Sequence, residues 1–359
     1  MTRNVTAVLL VLAACKKPAP VVDAVPEAAA PPPVASVRDE LPIARPSETS
    51  PFVLVATFAD GVTPNAYPLG DAIAVAQYGP NKWTLSAIGA RHERVDVIAR
   101  IPPPMRPLDE QPMFIGGTGI DDVWISTATT TLRVTPRETT SRTGHILTMG
   151  LLGGGSAALF LDGEERSLGW LVAPGATDAS SAALPKLPPA HRLSDDVTFI
   201  DDRICGRSEL VVWSSSIDGT RKTTRLDLEH RDAHVYRGPG GECMLHHEGD
   251  DGTEVGRLRG DTIAWTKIAP SRVAPVSATR SGSLVVAMGD ELVRVSLVND
   301  RLTLTGIPLP DDAKRVSTLV AIDDDDVWFT GPRGGKLEAL FHSRPSRGDA
   351  GAPATWPVP

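Results

Sequence analysis

A short motif that recurs along this 359-residue chain constrains its fold more than any other feature. Residues 121–126 read DDVWIS, residues 325–330 read DDVWFT, and residues 195–199 carry the weaker copy DDVTF. Trp124 and Trp328 lie 204 residues apart, which about five periods of roughly 41 residues would fill. Repeats of this length are typical of proteins built from many similar small units, so the sequence predicts a repeat-built body.

Apolar runs that end in proline form a second repeating mark. The runs end at Pro103, Pro136, Pro174, Pro270 and Pro310. Proline suits the last residue of an edge strand, where no ladder donor is needed. Glycine, proline and aspartate turns separate short apolar runs throughout the body, and no capped amphipathic helix longer than about two turns occurs. This pattern predicts strands rather than helices.

These marks predict an all-β fold, a β-propeller that occupies residues 51–343. About 293 residues divided among seven units give about 42 residues per unit, which is the usual size of a four-stranded blade. We expect seven blades. Six or eight also fit because the phase of the repeats drifts, and a two-layer β-sandwich is the alternative fold.

The first residues have the layout of an export signal. One charged side chain, Arg3, precedes an apolar run over residues 5–14, which at about 15 Å is too short to cross a bilayer. Leu12-Ala13-Ala14-Cys15 resembles the lipobox of bacterial lipoproteins, in which the cysteine sulfur receives a diacylglyceryl group and the chain is cut before that cysteine. The resemblance implies a signal peptide over residues 1–14 and a lipidated Cys15. The alternative is an ordinary signal peptide that contains a cysteine.

Residues 15–50 are rich in proline and alanine and predict a linker between the lipid and the body. Residues 344–359 have a similar composition and predict a disordered tail. Lys16 and Lys17 follow the cysteine, where lipoproteins retained in the inner membrane carry aspartate. The resemblance therefore implies a lipid-anchored envelope protein in the outer membrane, on its periplasmic or surface face. The body is similar to repeat propellers carried by bacterial surface lipoproteins, and no specific family is identified.

The net charge excludes nucleic acid as a partner. The formal charge is −8 at pH 7, and removal of Arg3 with the signal peptide makes the mature protein more acidic still. The expected partners are the membrane, through the lipid, and either a protein or an envelope glycan.

Two cysteines remain once Cys15 is lipidated. Cys205 and Cys243 are an even number in an exported protein, which is compatible with a disulfide. Two buried free thiols are the alternative.

Paired aspartates precede several apolar strands. They are Asp121, Asp122, Asp195, Asp196, Asp323, Asp324, Asp325 and Asp326. Units in the same phase would present these carboxylates on one rim, where they could attract a basic partner or Ca²⁺. Ordinary turn chemistry, which favours aspartate, is the alternative.

Four histidines cluster near Cys243: His230, His234, His246 and His247. A zinc site needs about four convergent donors, but neighbouring residues of a strand point to opposite faces. We therefore expect solvated turn residues and no metal site. Because no nucleophile elbow or phosphate loop occurs either, the sequence predicts no catalytic residue and no cofactor.

Together these features predict a membrane-anchored lipoprotein that acts as a binding or scaffold propeller and is not an enzyme. One alternative is a hydrolase or lyase with its site in the central channel, for which the His230–His247 cluster is the candidate. A structural envelope component is the other.

Overall fold

The structure is a computed structural model that describes residues 41–343, except 48, 80–81, 108–109, 163–164, 173–195, 209, 217–220, 260, 314 and 336, and also describes residues 354–356. The chain divides into two units, Met1–Val37 and Arg38–Pro359, and only the second contains described residues. Cys15, Asp195 and the predicted signal peptide lie outside them. Within the described part, no helical segment has the length and apolarity that crossing a bilayer requires.

The described strands form seven sheets, numbered here as blades in chain order. Two strands precede blade 1, β1 (Ile43–Ala44) and β2 (Val53–Phe58). Blade 1 contains β3 (Thr63–Leu69), β4 (Ala72–Tyr78), β5 (Trp83–Ile88) and β6 (Arg94–Asp96). Blade 2 contains β7 (Phe114–Gly119), β8 (Asp122–Ser126), β9 (Thr130–Val134) and β10 (Thr139–Thr143). Blade 3 contains β11 (His145–Leu152), β12 (Gly155–Asp162) and β13 (Glu165–Val172).

The remaining blades follow the same antiparallel plan. Blade 4 contains β14 (Val197–Ile200), β15 (Arg203–Ser208), β16 (Val211–Ser216) and β17 (Arg221–Arg225). Blade 5 contains β18 (His234–Arg237), β19 (Cys243–Gly249), β20 (Gly252–Arg259) and β21 (Thr262–Ala269). Blade 6 contains β22 (Val276–Ala278), β23 (Leu284–Met288), β24 (Glu291–Val298) and β25 (Arg301–Pro308). Blade 7 contains β26 (Thr318–Asp323), β27 (Asp326–Arg333) and β28 (Leu337–His342), completed by β2. Short 3₁₀ turns cover Ile98–Arg100, Pro103–Met105, Leu228–His230 and Pro239–Gly241.

Local sequence explains the tight hairpins. Val298 pairs with Arg301, so only Asn299 and Asp300 connect β24 to β25. Both have positive φ, +48° and +68°, which asparagine and aspartate tolerate better than other side chains and which a two-residue hairpin requires. The turn therefore sets the register of the two outer strands of blade 6.

The seven blades form a closed ring. The first strands of neighbouring blades lie side by side, β3 with β7, β7 with β11, β11 with β14, β14 with β18, β22 with β26 and β26 with β3. Blade 5 packs on blade 6 through one apolar cluster that includes Met244 and Leu284. The protein is a seven-bladed β-propeller, which confirms the predicted fold and blade number and excludes the sandwich.

The ring is closed by strands from both ends of the body. The fourth strand of blade 7 is β2, which pairs with β28 so that Leu54 lies opposite Phe341. β1 adds a parallel edge to β25, and a last strand, β29 (Ala354–Trp356), adds one to β2. The predicted linker and tail were therefore too long, because both contribute a short strand to the body.

The repeat motif marks the second strands of two blades. Trp124 lies on β8 and Trp328 on β27, and both are fully buried between blades. Trp124 packs on Phe160 of blade 3, and Trp328 packs on Val75 of blade 1. The motif thus provides the large side chain that fills the wedge between blades 2 and 3 and between blades 7 and 1.

A disulfide joins two neighbouring blades. Cys205 lies on β15 of blade 4, and Cys243 begins β19 of blade 5. The structure bonds their sulfur atoms, with the Cα atoms 6.0 Å apart, and both residues are buried. In the chain-entropy model, closing a loop of this length stabilises the folded protein by about 4 kcal/mol.

Removing this disulfide should destabilise the propeller. For the double variant Cys205→Ala, Cys243→Ala we expect the free energy of unfolding to fall by about 2–4 kcal/mol, because the unfolded chain regains the freedom that the cross-link removes. Urea unfolding with and without a reductant measures the change. The reductant should lower the stability of the wild type and leave the variant unchanged. Two alkylatable thiols in the unreduced, denatured wild type would contradict the bond.

Candidate functional site

Four consecutive aspartates, Asp323–Asp326, connect β26 to β27 in blade 7; we call them the acidic turn. Their side chains have different environments. Asp323 and Asp325 are exposed, Asp324 is partly buried, and Asp326 is only 3% exposed. The turn therefore presents carboxylates to solvent above one carboxylate that faces the interior.

The buried carboxylate is held by two ring nitrogens. Trp328 Nε1 donates a hydrogen bond to Asp326 Oδ1 at 3.0 Å, and His342 Nε2 lies 3.0 Å from the same oxygen. Trp328 and His342 are direct cross-strand neighbours, and their rings stack with centroids 3.6 Å apart. Because a buried carboxylate is stable only when its oxygens accept hydrogen bonds, these contacts fix the base of the acidic turn.

A third ring extends this network into blade 1. His92 Nε2 lies 2.9 Å from His342 Nδ1, across the boundary between blades 7 and 1. His342 Nε2–H donates to Asp326, so His342 Nδ1 accepts a proton from His92 Nε2 and leaves the lone pair of His92 on Nδ1. Burial, reinforced by charge on His342, lowers the pKa of His92 below its usual value.

This Asp326–His342–His92 chain is the arrangement by which a carboxylate orients an imidazole base. His92 has a φ of +64°, a conformation that non-glycine residues seldom adopt. Such strain is common where a side chain has a functional position. Among the described residues, these groups are therefore the best candidate for acid–base chemistry.

Blade 6 holds the acidic turn from the other side. Ser281 Oγ donates to Asp324 Oδ1 at 2.6 Å, and Arg294 Nη1 donates to the backbone carbonyl of Asp324 at 3.0 Å. The Arg280 N–H donates to the carbonyl of Ile322 on β26. These contacts fix the turn across the boundary between blades 6 and 7.

A cleft of about 300 Å³ opens beside the turn; we call it the blade 6–7 cleft. Its lining comes from blade 6, from blade 7 and from the segment that joins β1 to β2. The lining residues are Pro46, Ser47, Thr49, Pro51, Arg294, Thr305, Gly306, Ile307, Pro308, Asp324, Asp325, Val327 and Ser343. The walls are largely apolar, and polar groups lie at one end, which is the usual composition of a ligand site.

The other predicted carboxylates do not gather at this cleft. Asp121 and Asp122 occupy the corresponding turn of blade 2, where Asp122 Oδ1 lies 2.7 Å from Arg133 Nε. Asp196 precedes β14, the first strand of blade 4, so it lies at the opposite end of a first strand from the acidic turn. Asp196 pairs with Arg207 and accepts a hydrogen bond from the Val235 N–H. The single phase that we predicted for the pairs does not extend to Asp196.

The histidine cluster differs from its prediction. His230, His246 and His247 are buried, at 1%, 4% and 9% exposure, and only His234 is exposed. The prediction of solvated turn residues was wrong for the first three, because blade packing covers them. His246 and His247 lie on β19, the second strand of blade 5, rather than on the first strand that borders the channel. Burial lowers the pKa of His246 to about 4.

His92 and His342 were missed by sequence reasoning. His342 lies opposite Trp328 only through the register of β27 and β28, and His92 reaches it only because the ring closes. The available signal was the spacing of Asp326 and Trp328, since residues two apart on a strand share one face.

Comparisons with known proteins agree with the fold. No protein-family model matches the chain, and no curated protein matches it. A streptogramin B lyase structure is 16% identical, with a TM-score of 0.51, and the match covers 80% of this chain and 97% of that one. The WD40 domain of a coronin from Toxoplasma gondii is 9% identical, with a TM-score of 0.50, and the match covers 81% of this chain and 88% of that one.

A third similar structure is PorZ of Porphyromonas gingivalis, a bacterial surface component of the type-IX secretion system. It is 12% identical, with a TM-score of 0.49, and the match covers 84% of this chain and 40% of that one. At identities this low, the likeness to the lyase and to the coronin domain establishes the fold and no more.

Loss of the buried carboxylate should cost far more than loss of its exposed neighbour. Asp326→Ala leaves the Trp328 and His342 ring N–H groups buried without an acceptor, which should lower the free energy of unfolding by about 2–4 kcal/mol. Asp325→Ala is the matched control, and it should change stability by less than about 0.5 kcal/mol. Urea unfolding of both variants measures the difference, and equal losses would contradict the assigned network.

Proposed function

We propose that the protein is a membrane-tethered binding propeller, which a lipid on Cys15 holds at the bacterial envelope and which captures a protein partner in the blade 6–7 cleft. The observation that carries the binding role is the composition of the cleft, whose apolar walls end at the exposed carboxylate of Asp325. Such a site complements an extended peptide segment in which a basic side chain follows apolar residues.

The charges around the cleft favour a basic ligand. Asp323 and Asp325 are exposed and Asp324 is partly so, whereas Arg294 is the one basic side chain in the cleft lining. Arg294 already donates to the carbonyl of Asp324. Three carboxylates against one guanidinium leave a negative potential at the open end of the cleft.

The walls of the cleft are fixed before a ligand arrives. The network beneath Asp326 holds the turn from blade 7, and Ser281 and Arg294 hold it from blade 6. A site whose groups are already ordered loses less conformational entropy on binding, which supports recognition of a short segment.

The cleft supports binding better than it supports the alternative of a propeller enzyme. Its described lining contains no histidine or cysteine that could act as a base or a nucleophile. The histidine pair His92 and His342 instead lies on the other side of blade 7, against blade 1.

Neutralising the turn should weaken capture of basic peptides. For Asp324→Asn, Asp325→Asn we expect roughly tenfold weaker binding of a fluorescent proline-rich peptide that ends in two lysines, because two attractive charges are lost. The difference should shrink in about 0.5 M salt, where exposed charges are screened. Fluorescence anisotropy measures both effects.

The controls for this experiment use the same face of the propeller. Asp121→Asn changes an exposed aspartate in the equivalent turn of blade 2 and should leave peptide affinity unchanged. A peptide that ends in two glutamates should not bind. Equal affinity for both peptides, or binding of an envelope glycan and of neither peptide, would overturn the proposal of a basic peptide ligand.

The proposed tether joins the body beside the cleft. The linker predicted after Cys15 leads into β1 on the edge of blade 6, and the following segment supplies Pro46 and Pro51 to the cleft wall. The lipid would therefore hold the propeller with this cleft close to the point of attachment. We place the anchor in the outer membrane, because Lys16 follows the cysteine.

Replacing the proposed lipid acceptor should release the protein from the membrane. We expect Cys15→Ser to abolish incorporation of an alkyne-labelled fatty acid and to leave an uncleaved precursor, because serine lacks the thiol that is alkylated. Lys16→Ser is the matched control and should keep the label. Gradient fractionation and intact mass spectrometry measure the outcome. Unchanged labelling of Cys15→Ser would exclude this anchor.

A further inference from the structure

A second group of side chains lies in the connection between blades 4 and 5. Asp227 precedes the 3₁₀ turn Leu228–His230, which leads into β18. One side-chain donor atom from each of Asp227, Glu229 and His230 lies within 4.8 Å of the other two. The tight turn brings these donors together because they are separated by only two and three positions in sequence.

The imidazole of His230 has a donor atom without a hydrogen bond. His230 is 1% exposed, and its Nδ1 is buried and makes no hydrogen bond. The nearest carboxylate contact of Nδ1 is Glu229 Oε1 at 3.6 Å. A buried polar atom that lacks a hydrogen bond lowers stability, so such atoms in folded proteins commonly have a ligand role.

The other nitrogen of His230 sets the direction of that lone pair. His230 Nε2 lies 2.9 Å from Oε2 of the buried Glu254, and the ring stacks on Trp265 with centroids 3.9 Å apart. With its proton on Nε2, His230 presents the Nδ1 lone pair towards Glu229. Histidines that bind metal ions are usually fixed in this way, by a carboxylate that accepts a hydrogen bond from the second ring nitrogen.

We propose that Asp227, Glu229 and His230 bind a divalent cation of the zinc class. Two ligands about 2.1 Å from a tetrahedral zinc ion lie roughly 3.4 Å apart, close to the 3.6 Å between His230 Nδ1 and Glu229 Oε1. An imidazole with two carboxylates favours zinc over calcium, which takes oxygen ligands only. Because Asp227 and Glu229 are exposed, an ion can enter from solvent and keep water in its remaining position.

The nearby cations do not oppose such an ion strongly. Arg231 pairs with Asp232 at 3.5 Å, and Arg207 pairs with Asp196 at 3.4 Å. The sequence predicted no metal site because it grouped His230 with the other histidines. The carboxylates that approach it come instead from its own turn.

Titration calorimetry on the full-length protein, freed of metal by a chelator and of any affinity tag, tests the site. We expect one zinc ion per chain at micromolar or tighter affinity, with binding of Ca²⁺ at least tenfold weaker. Asp227→Asn, Glu229→Gln changes only exposed side chains and should weaken zinc binding at least tenfold without loss of fold. His230→Gln should do the same, and circular dichroism checks that this buried variant folds.

Two neighbouring variants serve as controls. Asp232→Asn and His234→Asn change an exposed acid and an exposed histidine of the same region and should alter zinc affinity less than twofold. The proposal is overturned if the wild type binds no stoichiometric zinc, if Asp227→Asn, Glu229→Gln binds as the wild type does, or if Ca²⁺ is preferred.

Discussion

The constraint on which the whole structure depends is that a small sheet with two apolar faces cannot bury both of them alone. Each blade covers one face with the blade before it and the other with the blade after it. On β4, for example, Val75 packs with Trp328 of blade 7, whereas Ala74 packs with Ile115 of blade 2. Every blade therefore needs two neighbours, and only a closed ring gives all seven their second neighbour. The pairing of β2 with β28 meets that requirement.

The repeats predicted the fold because they report this packing. Trp124 and Trp328 occupy equivalent second strands, so their spacing reflects whole blades. The aspartates before them are a weaker signal, since aspartate is favoured at many kinds of turn. Asp196 precedes a first strand instead, and its resemblance to the motif placed it on the wrong face. The large buried ring defines the phase, and the turn residue does not.

The candidate sites were harder to predict because they depend on contacts between distant parts of the chain. His92 meets His342 across 250 positions, and His230 meets Glu254 across a blade. Turn histidines in isolation are expected to be hydrated, but the neighbouring strands bury His230 and His247. The donors Asp227 and Glu229 are local to His230, so that part of the second site could have been found. The orientation of the imidazole by Glu254 could not.

Blade 7 combines the first and the last long strands of the body, and this has a consequence for biosynthesis. A ribosome makes β2 early and β28 nearly three hundred residues later. Until then β2 has no antiparallel partner, and the unpaired edge of a strand readily associates with other chains. The nascent chain must therefore be protected until its carboxyl-terminal strands emerge, and a prematurely terminated chain would leave an open, aggregation-prone arc.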